Sequence, residues 1–215
     1  MPEIKAVVFD IDGTLTEKNS WQQLMLAMGG TWAEDLEVVE LERSGKITHE
    51  EANARILALW KRYGKDTREN FTNAMEAMAL RPDAVSLIEY LKTKGIVICL
   101  ITGSTDLNAQ IVARKVGVEN FYYNTKLNWD DHGRILDFKY EWKQGELKLK
   151  QFHEFLKKNN LQPEQCAVIG DSDNDHELFK ITGKGIAVRT EFEDKILETL
   201  AWQVVNTLAE IRAII

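Results

Sequence analysis

Five short apolar segments, rich in valine and isoleucine, recur along the chain without alternating polar residues. Continuous apolar runs of this kind are typical of parallel strands that are covered on both faces of a sheet. Segments with apolar residues at helical spacing lie between several of them, which predicts an α/β fold with a doubly wound, mainly parallel sheet. The predicted strands are residues 4–9, 96–101, 166–169, 185–188 and 202–205.

The long interval between the first two predicted strands interrupts this alternation. Residues 17–80 contain amphipathic segments and are far more numerous than a crossover helix requires. Ser20 is expected to cap the first helix and Thr48 a later one. We therefore predict a helical cap of three or four helices at 17–80, inserted into a core formed by 1–16 and 81–215, with residues 81–83 as the return hinge.

A second departure from the pattern lies at residues 121–142. Aromatic and apolar residues flank the sequence Asp-Asp-His-Gly at 130–133. Turn residues between two such runs predict a β-hairpin.

Composition and charge narrow the class of protein. The 215 residues carry a formal net charge of -7, which argues against nucleic acid as a partner because phosphate backbones bind clustered lysine and arginine. Cys99 and Cys166 both lie in apolar runs and are predicted to be buried reduced thiols. The first nine residues are too short and too charged for a signal peptide, and no apolar run approaches the ~20 residues of a membrane span. We therefore expect a cytoplasmic protein without a membrane partner.

Polar residues follow three of the predicted strands. In open α/β sheets, ligands bind at the carboxyl ends of the strands. Clustered carboxylates repel each other unless a cation or a proton separates them, and hydroxyl and glycine N–H groups can hold phosphate oxygens. Each segment alone is also compatible with a polar turn or a helix cap. The residues concerned are Asp10, Asp12, Thr102, Gly103, Asp171 and Asp175.

Taken together, these segments resemble the motifs of the haloacid dehalogenase superfamily of phosphohydrolases. In order, they match Asp-x-Asp-x-Thr at 10–14, a strand-end threonine at Thr102, a lysine before the last motif, and Gly-Asp-x-x-x-Asp at 170–175. The resemblance spans nearly the whole chain, and the position of the cap and hairpin is most similar to the phosphoserine phosphatase branch. It implies magnesium-dependent hydrolysis of a small phosphorylated metabolite, phosphoserine being one candidate, through an aspartyl-phosphate intermediate.

The resemblance also implies roles for the acidic residues. Asp10 is expected to be the nucleophile that attacks phosphorus. Asp12 is expected to be the general acid and base, protonating the leaving oxygen and then accepting a proton from water. Mg²⁺ is expected to be held by Asp10, Asp171 and the backbone carbonyl of Asp12.

A second set of residues is expected to hold the phosphoryl group. Lys148 lies at the family's usual distance before the last motif, with Lys150 as the alternative, and Asp175 is expected to support Lys148 or a metal-bound water. The expected phosphate-binding and substrate-binding residues are Thr102, Gly103, Lys148 and Asn174.

The chain departs from the phosphoserine phosphatases at two positions. Those enzymes carry a glutamate in the loop after the first motif and an arginine in the cap. Here Asn19 stands at the matching loop position, with Glu17 nearby, and Arg55 lies near the expected cap position. Three cap tryptophans either build the core of the cap or form an apolar roof over the pocket. They are Trp21, Trp32 and Trp60.

Two other functions use the same residues. A phosphomutase or phosphotransferase would form the same aspartyl phosphate and pass it to another acceptor. A non-catalytic phosphate-binding protein would bind the phosphoryl group without turnover.

Overall fold

The computed structural model describes residues 3–191 and 194–215, which form one seven-stranded sheet with the strand order β4-β3-β2-β1-β5-β6-β7. Neighbouring strands are parallel except for β3 and β4, which are antiparallel. This confirms the predicted α/β class and all five predicted strands. The strands are β1 (Ala6–Phe9), β2 (Val97–Thr105), β3 (Asn120–Trp129), β4 (Ile135–Lys139), β5 (Cys166–Gly170), β6 (Gly185–Val188) and β7 (Gln203–Val205).

Helices cover both faces of this sheet. Val7 and Phe9 of β1 pack in one apolar cluster, whereas Ala6 and Val8 pack in another. This alternation shows that the strand is buried on both sides, as its unbroken apolar sequence predicts. The helices outside the predicted cap are α5 (Ala84–Thr93), α6 (Asp106–Val116), α7 (Gln144–Asn159), α8 (His176–Thr182) and α9 (Lys195–Leu200).

The predicted hairpin forms, but it belongs to the main sheet. Its first strand, β3, pairs in parallel with β2, and its second strand, β4, is the edge of the sheet. Pairing with the ten residues of β3 also carries β2 beyond its apolar run to Thr105, with a shift of register after Thr102. Thr102 therefore lies within an extended strand rather than directly after its end.

Four helices fill the interval between β1 and α5. Thr48 caps α3 as predicted, and Glu51 completes a reciprocal capping box. The prediction that Ser20 caps the first helix is wrong: Asn19 accepts the first backbone N–H groups of α1, and Ser20 is the first residue of the helix. The four helices are α1 (Ser20–Ala27), α2 (Trp32–Arg43), α3 (His49–Lys61) and α4 (Arg68–Glu76).

The apolar core of these four helices is shared with the hairpin. Trp60 is fully buried and stacks on Trp21, with ring centroids 6.1 Å apart. It also packs on Phe138 of β4 at 4.9 Å. Trp60 is thus a core residue, Trp21 lies at the edge of the same cluster, and Trp32 lines the large cleft described below.

The chain leaves and re-enters the sheet region at adjacent points. Thr16 and Leu80 form an isolated antiparallel bridge. The Arg81 backbone N–H donates to the carbonyl oxygen of Leu15 at 2.7 Å, and its guanidinium donates to the carbonyl oxygen of Gly13 at 2.9 Å. The return hinge is therefore tied to the turn that follows β1. Within residues 3–191 and 194–215, no helix has both the length and the apolar character needed to cross a bilayer.

Candidate active site

A cleft of about 1400 Å³ lies between the carboxyl edge of the sheet and the first two inserted helices, α1 and α2. Its floor is formed by residues at the carboxyl ends of β1, β2 and β5, because the carboxyl ends of neighbouring parallel strands meet at one edge. Helices α1 and α2, the segment after β4 and described residues after β6 contribute its other walls. Among the sequence-predicted residues, the cleft is lined by Asp10, Asp12, Thr102, Gly103, Asp171 and Asn174.

Lys148 lies beneath the floor of the cleft, between two carboxylates. Its side chain is fully buried, and Nζ donates to Oδ1 of Asp10 at 2.9 Å and to Oδ1 of Asp175 at 2.7 Å. Burial alone would lower the pKa of Lys148, but the two carboxylates outweigh it and hold that pKa above its ordinary value. The structure therefore brings Lys148 into the site, whereas Lys150 is exposed.

Three carboxylates could share a cation at this edge. Ligand oxygens of Asp10, Asp171 and Asp175 lie within 4.8 Å of one another. Burial, followed by the charges of Asp10 and Asp175, raises the pKa of Asp171 well above its ordinary value. One lysine does not balance this negative charge, and hard oxygen donors suit a divalent cation. The donor set therefore fits the metal ion that the sequence implies.

Asp175 is held by protein groups on both carboxylate oxygens. Oδ1 accepts from Lys148, and Oδ2 accepts from the Asp171 backbone N–H at 3.2 Å. This arrangement suits a supporting residue better than a metal ligand. Thr14 donates to the Asp171 carboxylate at 3.2 Å and so connects the turn after β1 to the loop after β5.

Asp12 lies beside this cluster in a different hydrogen-bond environment. Its Oδ2 accepts from the Ser20 backbone N–H at 3.0 Å and from the Ser20 hydroxyl at 2.5 Å, and its Oδ1 accepts from Nδ2 of Asn108 at 3.2 Å. Burial raises the pKa of Asp12 to about 7, and the nearby Asp10 charge adds to the rise, although the Ser20 hydrogen bonds oppose it. A carboxyl group with a pKa near neutrality is suited to give and to take a proton.

Thr102 and Gly103 offer groups for phosphate oxygens. The Thr102 side-chain oxygen accepts from the Ser104 N–H at 3.1 Å, which leaves its hydroxyl proton available to another acceptor. A Cβ at position 103 would lie 2.8 Å from Oε1 of Gln144 and 3.3 Å from Nδ2 of Asn174. Only glycine therefore fits there without moving its neighbours.

Several residues of the site could not be recognised from the sequence. The sequence predicts only a helix cap at Ser20. Asn108 shares the buried face of α6 with Ile111 and Val112, and a polar residue on such an apolar face is the signal that could have indicated a contact with Asp12. In the inserted helices, Arg55 is exposed and does not line the cleft, whereas Arg43 does. Asn19 lines the cleft with its side-chain oxygen used as the α1 cap.

Comparisons with known proteins agree with this arrangement. A family model described as haloacid dehalogenase-like hydrolase matches residues 4–180. A phosphoserine phosphatase from Methanocaldococcus jannaschii is 24% identical over 189 residues, covering 85% of this chain and 84% of its own length. Protein CicA from Caulobacter vibrioides is 30% identical over 139 residues, covering 60% of this chain and 62% of its own length.

Solved structures show the same fold. A substrate-bound phosphoserine phosphatase superposes with a TM-score of 0.78 over the full length of both chains, at 22% sequence identity. The family model covers most of the chain, including all four motif segments, and leaves out the last two strands and the residues around them. It confirms the resemblance seen in the sequence: this chain belongs to the haloacid dehalogenase-like hydrolases.

Proposed function

We propose that this protein hydrolyses a small phosphate monoester through an aspartyl-phosphate intermediate. The observation that carries the proposal is the buried Asp10–Lys148–Asp175 arrangement, in which Asp10 lines the cleft with Asp12 beside it. The nucleophile candidate has one carboxylate oxygen fixed by a buried lysine, and it lies next to a separate carboxyl group suited to proton transfer.

The chemistry would proceed in two displacements. First, an Asp10 carboxylate oxygen attacks phosphorus, the ester P–O bond breaks, and Asp12 gives its proton to the leaving alkoxide. Second, Asp12 takes a proton from water as the water oxygen attacks the phosphoryl group, and the bond from phosphorus to Asp10 breaks to release inorganic phosphate. The Thr102 hydroxyl, the Gly103 N–H and Lys148 hold the phosphoryl oxygens, and Asn174 contacts the substrate or its phosphate.

We propose Mg²⁺ as the cation of the acidic cluster, held by Asp10, Asp171 and the backbone carbonyl of Asp12. When bound, it would offset the carboxylate charge that otherwise repels a phosphate dianion. The hard oxygen donors support this choice of metal.

The proposed substrate is a small phosphorylated metabolite. Two curated relatives are named phosphoserine phosphatase, so phosphoserine is one member of the class to test. Of the positions that the resemblance implies for binding the charges of an amino acid, Asn19 is uncharged and Arg55 is exposed away from the cleft, whereas the neighbouring Glu17 lines it. The cap instead offers Arg43 and Trp32 to the cleft, which favours a test over several substrate types.

We also propose that residues 17–80 act as a cap over a catalytic core of residues 1–16 and 81–215. The Thr16–Leu80 bridge supports these boundaries. Residues 1, 2, 192 and 193 of this core lie outside the described part of the chain. The buried free thiols of Cys99 and Cys166 are compatible with the predicted cytoplasmic location.

The first experiment is phosphate release from phosphoserine, sugar phosphates, nucleotides and an aryl phosphate, with and without Mg²⁺. We expect release that requires the metal and that is lost in Asp10→Asn, because the amide is not a competent nucleophile. Asp131→Asn, an exposed residue of the hairpin turn, is the matched control and should retain activity. Covalent phosphoenzyme in Asp10→Asn would contradict the nucleophile assignment, and transfer to an added acceptor would indicate a phosphotransferase.

A further inference from the structure

The carboxylate of Asp12 is held by residues from two separate elements. Ser20, the first residue of α1, donates to Oδ2 through both its backbone N–H and its hydroxyl, at 3.0 and 2.5 Å. Asn108 of α6 donates to Oδ1 at 3.2 Å. Ser104, at the end of β2, joins the two: its Oγ lies 2.5 Å from the Ser20 Oγ and 3.0 Å from Nδ2 of Asn108.

The hydrogens available in this cluster give its hydrogen bonds one direction, toward Asp12. The Asn108 amide has two N–H groups, one for Asp12 and one for the Ser104 oxygen. The Ser104 hydroxyl can then donate to Ser20, whose own hydroxyl donates to the Asp12 carboxylate. Every donor therefore points toward Asp12, and no hydroxyl has to donate twice.

The three partners have almost no contact with solvent. Ser20 and Asn108 are fully buried, and Ser104 is 1% exposed. Water cannot replace a lost donor there without occupying space that packed side chains now fill. A fixed hydrogen bond on each oxygen also restricts rotation of the Asp12 carboxyl group about its terminal torsion, which is otherwise broad.

We propose that Ser20, Ser104 and Asn108 are positioning residues that aim the Asp12 carboxyl group at the leaving oxygen, and that Ser20 couples this aim to the placement of the first cap helix. The inference rests on the proposed phosphatase function. A displacement of about 1 Å in a reacting group can cost on the order of 100-fold in rate. Loss of the Ser20 hydroxyl should therefore impair protonation of the leaving group more than attack by Asp10.

Leaving groups of different basicity separate this role from a structural one. Alkyl phosphates need a proton on the departing oxygen, whereas aryl phosphates need it much less. In Ser20→Ala we expect kcat/KM, which reports the steps up to departure of the leaving group and not the later attack of water, to fall at least about tenfold for an alkyl phosphate and less than about threefold for an aryl phosphate. Ser20→Thr, which retains the hydroxyl, should restore most of the alkyl rate.

Two further variants make the test independent of one substitution. Asn108→Ala removes the donor from the other carboxylate oxygen and should shift the alkyl-to-aryl ratio in the same direction. In an Asp12→Asn background, Ser20→Ala should cause no additional change in the ratio, because the group that it positions is already absent. Thr182→Val, which removes a buried hydroxyl bonded within α8, is the matched control and should leave the ratio unchanged.

The outcomes distinguish this inference from the proposed function. An active wild type with the same alkyl-to-aryl ratio in Ser20→Ala and Asn108→Ala overturns the positioning role alone. Equal losses on both ester classes would mean that the cluster is structural, and that also overturns it. A wild type without activity on either class overturns the proposed function together with the inference. A selective alkyl loss with rescue by Ser20→Thr supports the positioning role.

Discussion

At the scale of single residues, Lys148 shows how a charge is accommodated without water. A buried ion costs several kcal/mol unless partners compensate it, and Asp10 and Asp175 both contact its ammonium group. The spacing of the motifs indicated Lys148 rather than Lys150, but only the fold shows that Lys150 faces solvent. Sequence spacing places a residue near a site, whereas burial depends on which face of α7 packs on the sheet.

Asp35, in the first turn of α2, makes protein stability depend on pH. It is 6% exposed, and burial raises its pKa from 3.8 to about 6. Between these two pH values the folded protein holds a proton that the unfolded chain has lost, so stability falls as the pH rises through this window. Above it, the buried charge should cost on the order of 2–3 kcal/mol.

We therefore expect Asp35→Asn to be more stable than the wild type at pH 8, with a difference that shrinks as the pH falls from about 6 to about 4. Urea unfolding at several pH values measures this difference. Glu37→Gln, on an exposed position of the same helix, should show little change at any pH. A constant Asp35→Asn effect across the pH range would mean that the carboxyl group does not titrate as inferred.

At the scale of elements, the buried strands could be predicted and their continuations could not. The unbroken apolar runs of β1 and β5 identify them as strands from the sequence alone, because both faces of each strand are covered and every position is apolar. The polar end of β2, from Thr102 to Thr105, carries none, because its extended form depends on pairing with β3. The packing of Phe138 into the apolar core of the inserted helices is likewise a long-range contact that no local pattern encodes.

The turn after β1 is the element that places the acidic residues. Gly13 has a φ of +76°, and a Cβ there would lie 2.1 Å from Oδ2 of Asp171. Gly13→Ala should therefore displace the Asp171 carboxylate and weaken Mg²⁺ binding by at least about tenfold, as changes in the support of metal ligands do. Calorimetric titration of the metal in the absence of substrate measures the effect.

Gly45→Ala separates backbone strain from this contact. Gly45 has a similar φ of +71°, but no atom lies within 4 Å of the added methyl group. Both variants should lose roughly 1 kcal/mol of stability through the left-handed conformation, and only Gly13→Ala should lose metal affinity. Unchanged affinity in Gly13→Ala would mean that Asp171 is not a ligand or can move freely.

At the scale of the whole molecule, folding assembles negative charge that the unfolded chain keeps apart. Asp10 and Asp171 are far apart in the sequence and meet because β1 and β5 are neighbours. Lys148 offsets part of this charge, and the rest opposes folding until a cation binds. The site and the stability of the molecule should therefore be linked through the metal.

Adding Mg²⁺ should raise the melting temperature of the metal-free protein, because the folded state alone presents the assembled cluster. At an Mg²⁺ concentration 100 times the dissociation constant, the gain in folding stability is about 2.7 kcal/mol, or roughly 5–10 °C in melting temperature for a chain of this size.

Asp171→Asn should melt higher than the metal-free wild type, since it removes repulsion between carboxylates, and should no longer respond to Mg²⁺. Asp173→Asn, an exposed neighbour, should respond as the wild type does. Thermal unfolding with Mg²⁺ and with a chelator measures these responses. If the melting temperature of Asp171→Asn rises with Mg²⁺ as much as that of the wild type, the cation binds elsewhere.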